Sequence, residues 1–452
     1  SIFIGVASRI FLGFSVQQAL ILAVFSTSIG GTLFFWEFRV GFVFIGSGIM
    51  LLIHAVNLEN FVRYASLDVI WFLVGMMIVL AMMKEAGVFY YLTTRILRIK
   101  NLTGKKLFFT LMIISWVLSG LMGEVTSILL VSSVIFSLCE FLEVSPIPLL
   151  ISSVLTTNIG SASTVLGNPI GVLIAIRGNL SFEDFITHSL PVAIVCLLVT
   201  ILLLQLFYRE YIKLLTLKLK PHIGNHEFLY LITTPMERKT KISSYIFLLT
   251  VAVIALHRRI ELLLSLEENT ILVITPIIFA GVVLIANYQK AMKYIDQEVE
   301  WNSLIFFLFL FAQAGVLQSS GIAKIIAEKI STLTGHKQIL LPLTMIFSSG
   351  ILSSVLDNVV VVASFTPVVQ NLSSLVKHSD ILWWAILFGS CFGGNITLIG
   401  STANIIAIGL LEKKYNKKIS FFEWLKVGLP IGIITMLVSC LLYTSPSPRD
   451  RQ

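Results

Sequence analysis

The chain reads Ser348-Ser349-Gly350-Ile351-Leu352-Ser353-Ser354-Val355-Leu356-Asp357-Asn358-Val359-Val360-Val361-Val362 at the point that decides its fold. Asp357 and Asn358 stand side by side there, with long apolar runs before and behind them. A charged side chain in such a run costs roughly 2.5–3.5 kcal/mol on insertion scales unless it faces protein, water or an ion. We therefore predict the tip of a re-entrant hairpin, which enters the membrane and turns back. A second copy, Ser119-Gly120-Leu121-Met122-Gly123-Glu124-Val125-Thr126, lies earlier and predicts a second hairpin.

The composition is that of a membrane protein. Of the 452 residues, 56% are hydrophobic and 12% are charged, whereas about 25% of the residues in soluble domains are charged. Apolar runs close to the roughly 20 residues that span a bilayer recur along the chain. They predict an all-α polytopic membrane protein in contact with the lipid bilayer. A membrane β-barrel would instead show alternating apolar and polar residues, and this pattern is absent.

Charge and motifs exclude several classes of protein. The net charge of +8 does not indicate a nucleic-acid partner, because the basic residues lie in the loops between predicted spans. The four cysteines lie apart in apolar stretches without metal-binding spacing, so we interpret them as packing residues. No nucleotide P-loop, zincin motif or nucleophile elbow occurs, so an ATP-driven pump is disfavoured and no cofactor is expected. An intramembrane enzyme would need a paired catalytic set, and none is recognisable.

We divide the chain into five parts. They are an N-terminal membrane segment at 1–38, repeat one at 39–207, a hydrophilic linker at 208–241, repeat two at 242–443 and a tail at 444–452. The predicted spans and hairpin legs are 15–36, 39–56, 68–88, 107–122, 125–142, 187–207, 243–257, 270–287, 301–318, 338–356, 359–376 and 427–443. The tail resembles translated adaptor sequence, and Ser1 is not an initiator methionine, so we expect neither end to be the natural one.

Two apolar segments are interrupted by polar residues and glycines. Residues 146–177 contain Asn158-Ile159-Gly160-Ser161-Ala162-Ser163-Thr164-Val165-Leu166-Gly167-Asn168-Pro169-Ile170-Gly171. Residues 381–409 contain Gly393-Gly394-Asn395-Ile396-Thr397-Leu398-Ile399-Gly400-Ser401-Thr402-Ala403-Asn404. Because glycine and proline disfavour a continuous helix, we predict a broken helix in each half.

The sequences of the two halves can be aligned with each other. The pairs are Gly87 with Gly321, Ser119 with Ser353, Glu124 with Asn358, Thr164 with Thr397, Gly167 with Gly400, and Pro191 with Pro430. The offset stays between 233 and 239 positions, which indicates an internal duplication. If the hairpins do not cross the membrane, each half crosses it an odd number of times and the repeats are inverted.

This topology also fixes the sides of the loops. With the linker 208–241 in the cytoplasm, most lysines and arginines outside the spans, Arg39 among them, fall on the cytoplasmic side. That bias is typical of membrane proteins. We therefore expect an integral protein of the plasma, or inner, membrane.

Inverted repeats with broken helices favour a substrate site near the middle of the bilayer. Asp357 with Asn358 is the strongest candidate, as a Na⁺ or H⁺ site, although an aspartate there could simply cap a helix. Glu124 has the corresponding place in repeat one, with a buried neutral acid as the alternative. We predict a Na⁺ ion near Asp357, Asn358 and Asn395. The other candidate residues are Ser119, Thr126, Asn158, Ser163, Thr164, Asn168, Ser353, Asn395, Thr397, Ser401 and Asn404; each could instead satisfy local backbone groups.

These motifs resemble the ion transporter superfamily. The nearest branch is the group of arsenite permeases, NhaD-type sodium–proton antiporters and P proteins, related to the SLC13 carriers. The resemblance covers roughly residues 39–443 and is closest at Leu356-Asp357-Asn358-Val359 and at 393–404. It implies two inverted repeats, each with a hairpin and a broken helix, in a homodimer with an elevator-like motion. Repeat one departs from the family pattern, with Gly123-Glu124 where Asp-Asn is usual and Asn168-Pro169-Ile170 where Asp-Pro-Pro is usual.

We predict a secondary transporter coupled to Na⁺ or H⁺. Acidic groups at both hairpin tips favour antiport of a small inorganic ion, such as arsenite-type efflux or Na⁺/H⁺ exchange. The alternatives are Na⁺-coupled symport of dicarboxylates, citrate or other anions, and a channel. The symporting relatives carry Ser-Asn-Thr at the tips, which this chain lacks.

Overall fold

The computed structural model describes residues 13–88, 91, 102–222, 237–335, 340–373 and 380–444. The regular elements within these ranges are all helical. Seven of the described helices are long and apolar enough to cross a membrane, and a bent pair with a 100° break, Thr270–Ala286 and Tyr288–Glu298, would add an eighth. Residues 1–12, part of the predicted linker at 223–236 and the tail at 445–452 lie outside the described residues.

The first half runs from the N-terminal segment to the end of repeat one. Its helices are α1 Val16–Phe34, α2 Arg39–Leu52, α3 Leu58–Tyr64, α4 Leu67–Glu85, α5 Gly104–Met122, α6 Glu124–Leu142, α7 Ile147–Ser161, α8 Pro169–Gly178 and α9 Leu190–Phe207. The predicted hairpin is α5 and α6, and the predicted broken helix is α7 and α8 with one 3₁₀ turn, Val165–Gly167, in the break.

The second half repeats this plan after one further helix. Its helices are α10 Arg209–Leu219, α11 Arg238–Ala255, α12 His257–Leu264, α13 Thr270–Ala286, α14 Trp301–Ser319, α15 Ile322–Leu333, α16 Leu340–Ser353, α17 Asn358–Ser373, α18 Asp380–Gly393, α19 Thr402–Tyr415 and α20 Phe421–Thr444. Here α16 and α17 form the hairpin, and α18 and α19 form the broken helix. The fold is therefore the predicted one of two inverted repeats.

Each hairpin is tied to the broken helix of its own repeat by an equivalent serine. Ser119 Oγ donates to Thr157 O, and Ser353 Oγ donates to Ser390 O, both over 2.7 Å. The partners are 234 and 233 positions apart, so the duplication in the sequence is also a duplication of contacts. These two serines, predicted as site residues, hold the hairpins in place.

Small residues let the hairpins approach the broken helices closely. A Cβ atom on Gly160 would lie 2.3 Å from Trp116 O, and one on Gly393 would lie 2.3 Å from Gly350 O. Interfaces between membrane helices depend on such close backbone packing, because lipid supplies no hydrophobic drive for association. The two glycines are thus required by the packing of α7 on α5 and of α18 on α16.

The beginning of the predicted linker is a helix rather than an irregular segment. Ile212, Leu215 and Leu219 of α10 are buried on one face, and Gly104 N donates to Thr216 Oγ1 over 3.1 Å. The helix therefore packs across the start of α5. Charged residues on its outer face account for its hydrophilic composition.

Candidate functional site

The tips of the two hairpins meet inside the protein. Gly123 joins α5 to α6 with φ +90°, a conformation that favours glycine, and α6 begins with Glu124. Asn358 begins α17, and its Nδ2 donates to both carboxylate oxygens of Glu124 over 3.3 Å. Glu124 is 5% exposed and Asn358 is 1% exposed. The fold therefore brings together two predicted site residues that are far apart in the sequence.

Two hydrogen bonds fix the carboxylate of Asp357. Its Oδ1 accepts from Val359 N over 3.0 Å, and its Oδ2 accepts from Thr402 Oγ1 at the start of α19. The first bond caps α17, so Oδ1 of Asp357 has the capping role that we gave as the alternative to ion binding. The second bond links the hairpin tip to the broken helix.

A cavity of about 470 Å³ reaches these tips. Four of the predicted residues line it, namely Glu124, Thr126, Asn168 and Asp357. Lys84 and Glu298 also line it; they form an ion pair of 2.7 Å, and the Lys84 side chain is 44% exposed. The cavity thus leads from a solvent-accessible ion pair to two buried carboxylates, whose negative potential favours a cation.

The amide oxygen of Asn358 gives the site an unsatisfied acceptor. It is buried and accepts no hydrogen bond from the described residues. A buried acceptor without a partner costs about 1–3 kcal/mol. A cation would supply the missing partner. Carboxylate and amide oxygens are the donors that hard cations prefer, so the residues present fit such an ion.

Four predicted residues form a buried network between the two broken helices. Asn158 Nδ2 donates to Asn395 Oδ1 over 2.8 Å and to Asn404 Oδ1 over 2.9 Å. Ser401 Oγ donates to Asn158 Oδ1 over 3.1 Å. All four side chains are fully buried, and none is among the described residues that line the cavity. The network joins the repeats behind the hairpin tips.

The threonines of the two breaks have equivalent partners. Thr164 Oγ1 donates to Gly120 O, and Thr397 Oγ1 donates to Ser354 O. Both side chains therefore bond a carbonyl of the hairpin that is distant in the sequence. Each hydroxyl also accepts from a backbone N–H two residues further on, as the local alternative anticipated. Ser163 Oγ donates to Gly160 O over 2.6 Å, which is also a local contact.

Asn168 both caps a helix and reaches the opposite repeat. Its Oδ1 accepts from Gly171 N over 2.8 Å, which caps α8. Its Nδ2 is 3.1 Å from Ser161 Oγ and 3.3 Å from Cys391 Sγ. Of the residues in the breaks that we predicted to line the site, Asn168 is the one that faces the cavity.

The sequence profile of the family described as CitMHS, citrate transporter, matches residues 34–334 and 299–452. This chain belongs to the CitMHS family. The predicted resemblance to the ion transporter superfamily is confirmed, and so is the class of membrane transporter.

Relatives of this CitMHS protein agree with that assignment. A 46 kDa membrane protein of Mycobacterium leprae is 28% identical over 402 residues, covering 87% of this chain and 90% of the relative. The human P protein is 26% identical over 452 residues, covering 85% of this chain and 53% of that protein. The crystal structure of the Alcanivorax borkumensis YdaH transporter superposes with a TM-score of 0.53 at 14% identity, covering 85% and 86% of the two chains. The last comparison concerns the fold alone.

Sequence reasoning missed three charged residues of the CitMHS cavity, namely Arg39, Glu298 and Glu300. Arg39 begins α2 and lines the same cavity as Asp357, within electrostatic range of its carboxylate. Its guanidinium lies 4.3 Å from the ring centroid of Trp36, and its Nη2 donates to Ser303 Oγ over 2.9 Å. A basic residue at the end of a span usually only sets topology, so no signal in the sequence distinguished Arg39.

Thr402 was also missed, although it belongs to the interrupted segment at 393–404. It lines the cavity and donates to Asp357. Its place directly after the predicted residue Ser401 was the available signal. The hydroxyl adds a further oxygen to those at the hairpin tips.

Proposed function

We propose that this protein is a secondary active transporter whose hairpin tips bind the coupling ion, Na⁺ or H⁺. The observation that carries the proposal is the contact between Glu124 and Asn358 from opposite repeats, beside a cavity that Glu124 and Asp357 line. Buried carboxylates beside an unsatisfied amide oxygen favour a small cation over an anion. Binding or release of the coupling ion at the tips would then change contacts in both repeats at once.

For the transported substrate we propose a carboxylate anion of the dicarboxylate or citrate type, carried together with the coupling cation. The family description, citrate transporter, supports this class. A basic side chain, Arg39, in the same cavity as the acidic tips also supports it. This choice gives more weight to anion symport than the sequence reasoning did.

The second candidate is antiport of a small inorganic ion, as in Na⁺/H⁺ exchange or arsenite-type efflux. The presence of a carboxylate at each hairpin tip favours it, because two acids can exchange a metal cation for protons. Glu124 keeps one carboxylate at the tip of repeat one, although Gly123 stands where an aspartate is usual in this superfamily.

The membrane and the assembly complete the proposal. We propose the plasma, or inner, membrane, with the linker 208–241 on its cytoplasmic side, on the basis of the lysine and arginine bias. We also propose a homodimer, as the family resemblance implies.

Flux in proteoliposomes tests the proposal. Uptake would be measured for citrate, succinate, arsenite and Na⁺, under imposed Na⁺ or pH gradients. We expect coupled uptake to fall at least tenfold in Asp357→Asn and in Glu124→Gln, roughly the effect of losing one charged ligand. Glu328→Gln, an exposed change on α15, should transport normally. Wild-type flux in Asp357→Asn would refute the role of that residue, and a current far above the coupled flux would indicate a channel.

A further inference from the structure

Arg39 is held in a fixed position with most of its hydrogen-bonding capacity unused. The guanidinium stacks on Trp36 and lies 5.5 Å from the ring centroid of Phe306. Ser303 is the one hydrogen-bond partner that the described residues give it, although a guanidinium carries five N–H donors. Its remaining donors are therefore available to a molecule in the cavity that Arg39 lines.

Side chains of both charge signs line the cavity. Asp357 and Glu124, on the hairpins, supply negative charge, as do Glu298 and Glu300. Lys84 also lines the cavity but is already paired with Glu298 over 2.7 Å. Asp357 and Glu300 act on Arg39 electrostatically, but no described salt bridge gives it a carboxylate partner within 4 Å. Arg39 is thus the basic group left to act on a ligand.

We infer that Arg39 binds an oxyanion group of the transported substrate, opposite the coupling cation at the hairpin tips, and that it determines specificity for anions. This inference rests on the proposed function and extends it to a residue outside the repeat motifs. A planar guanidinium binds two oxygens of a carboxylate in parallel, which a lysine ammonium cannot do. The cavity would therefore select an anion that binds Arg39 while a cation neutralises the carboxylates of Glu124 and Asp357.

Ligand-induced thermal stabilisation of the purified full-length protein tests this role. The variants are Arg39→Gln and Arg39→Lys, and the probes are citrate, succinate and inorganic phosphate, each titrated with Na⁺ present and at fixed pH. We expect the half-saturating concentration of the bound anion to rise at least about tenfold in Arg39→Gln. Arg39→Lys should recover only part of the loss, because the bidentate geometry is missing.

The cation titration separates a specific role from misfolding. Without any anion, Na⁺ should stabilise Arg39→Gln as well as or better than the wild type, because a positive charge has been removed from the cavity. Arg63→Gln is the matched control; it lines a second cavity that contains neither Asp357 nor Glu124, and its anion titrations should match the wild type.

The outcomes distinguish this inference from the proposed function. Unchanged anion titrations in Arg39→Gln, with Na⁺ still stabilising the protein, would overturn the role of Arg39 alone. Absence of stabilisation of the wild type by Na⁺, by every anion and, in a separate pH series, by protons would overturn the proposed function itself. If the wild type binds phosphate but neither citrate nor succinate, loss of phosphate binding in Arg39→Gln would support the role of Arg39 and indicate that the substrate is an inorganic oxyanion.

Discussion

Asn158 links the two repeats through three hydrogen bonds. It donates to Asn395 and Asn404 and accepts from Ser401, and all four side chains are fully buried. Buried polar groups stabilise a fold only when each has its partner. Removing the central member would leave several acceptors and donors unpaired at once.

Asn158→Ala should therefore lower the melting temperature of the purified protein. Each orphaned buried group costs about 1–3 kcal/mol, and Asn395 Oδ1 would lose its partner. Asn287→Ala is the control, because its Nδ2 makes only a local bond to Val283 O at the end of α13. Equal melting temperatures for the two variants would mean that the network contributes nothing to stability.

At the residue scale, the sequence predicted the acidic tips and missed the basic group. Asp357 and Glu124 were recognisable because a carboxylate between apolar runs is costly unless the protein uses its charge. Arg39 was not, because the same residue type at the end of a span is ordinary. Ser119 and Ser353 were predicted as site residues, but the contacts that place them opposite backbone carbonyls cannot be read from composition.

At the scale of single elements, the breaks in the two broken helices depend on glycine. A Cβ atom on Gly167 would lie 2.2 Å from Ser161 O, a backbone atom that cannot move without shifting α7. Gly409, in α19, has nothing within 4 Å of its would-be Cβ. The two positions form a matched pair, since both lie in the broken helices.

Gly167→Ala should destabilise the protein, and Gly409→Ala should not. The first variant has to displace backbone, whereas alanine at the second gains up to about 1 kcal/mol of helix propensity. The measurement is the melting temperature together with the yield of monodisperse protein after gel filtration. A Gly167→Ala protein as stable as Gly409→Ala would show that the break tolerates a side chain.

Whether an element could be predicted depended on its kind of pattern. The hairpins and breaks were predicted, because glycine, proline and polar residues clustered within an apolar run disfavour a continuous helix. Helix α10 was not, because its charged face dominated the composition. Its buried residues Ile212, Leu215 and Leu219 do follow helical spacing, and a periodicity count would have found them.

At the scale of the whole molecule, the assignment of sides can be tested by labelling. The four cysteines are buried, so single cysteines can be added to the native background. Lys213, on α10, is 56% exposed as a side chain, and Leu263, on α12, is 84% exposed. The proposed topology places the first in the cytoplasm and the second outside.

A membrane-impermeant maleimide should therefore label Leu263→Cys in intact cells and Lys213→Cys only after permeabilisation. The unmodified protein, treated in the same way, measures the background from the four native cysteines. The reverse pattern would invert the assignment of sides and leave the fold intact. Labelling of both positions in intact cells would contradict the inverted topology.

An apolar seam borders the cavity. It is formed by Phe72, Met76 and Met77 of α4 together with Leu129 of α6 and Val172 of α8. Thioether side chains repack at low cost, and an apolar interface has no hydrogen bonds to break when one face slides along the other. If the repeats slide, resistance would come from moving a tip carboxylate into the hydrocarbon without a cation to neutralise it. Such a surface would allow the site to move when its carboxylates are neutralised by a cation and would oppose movement when they are not. The cost of desolvating charge would then set the coupling stoichiometry.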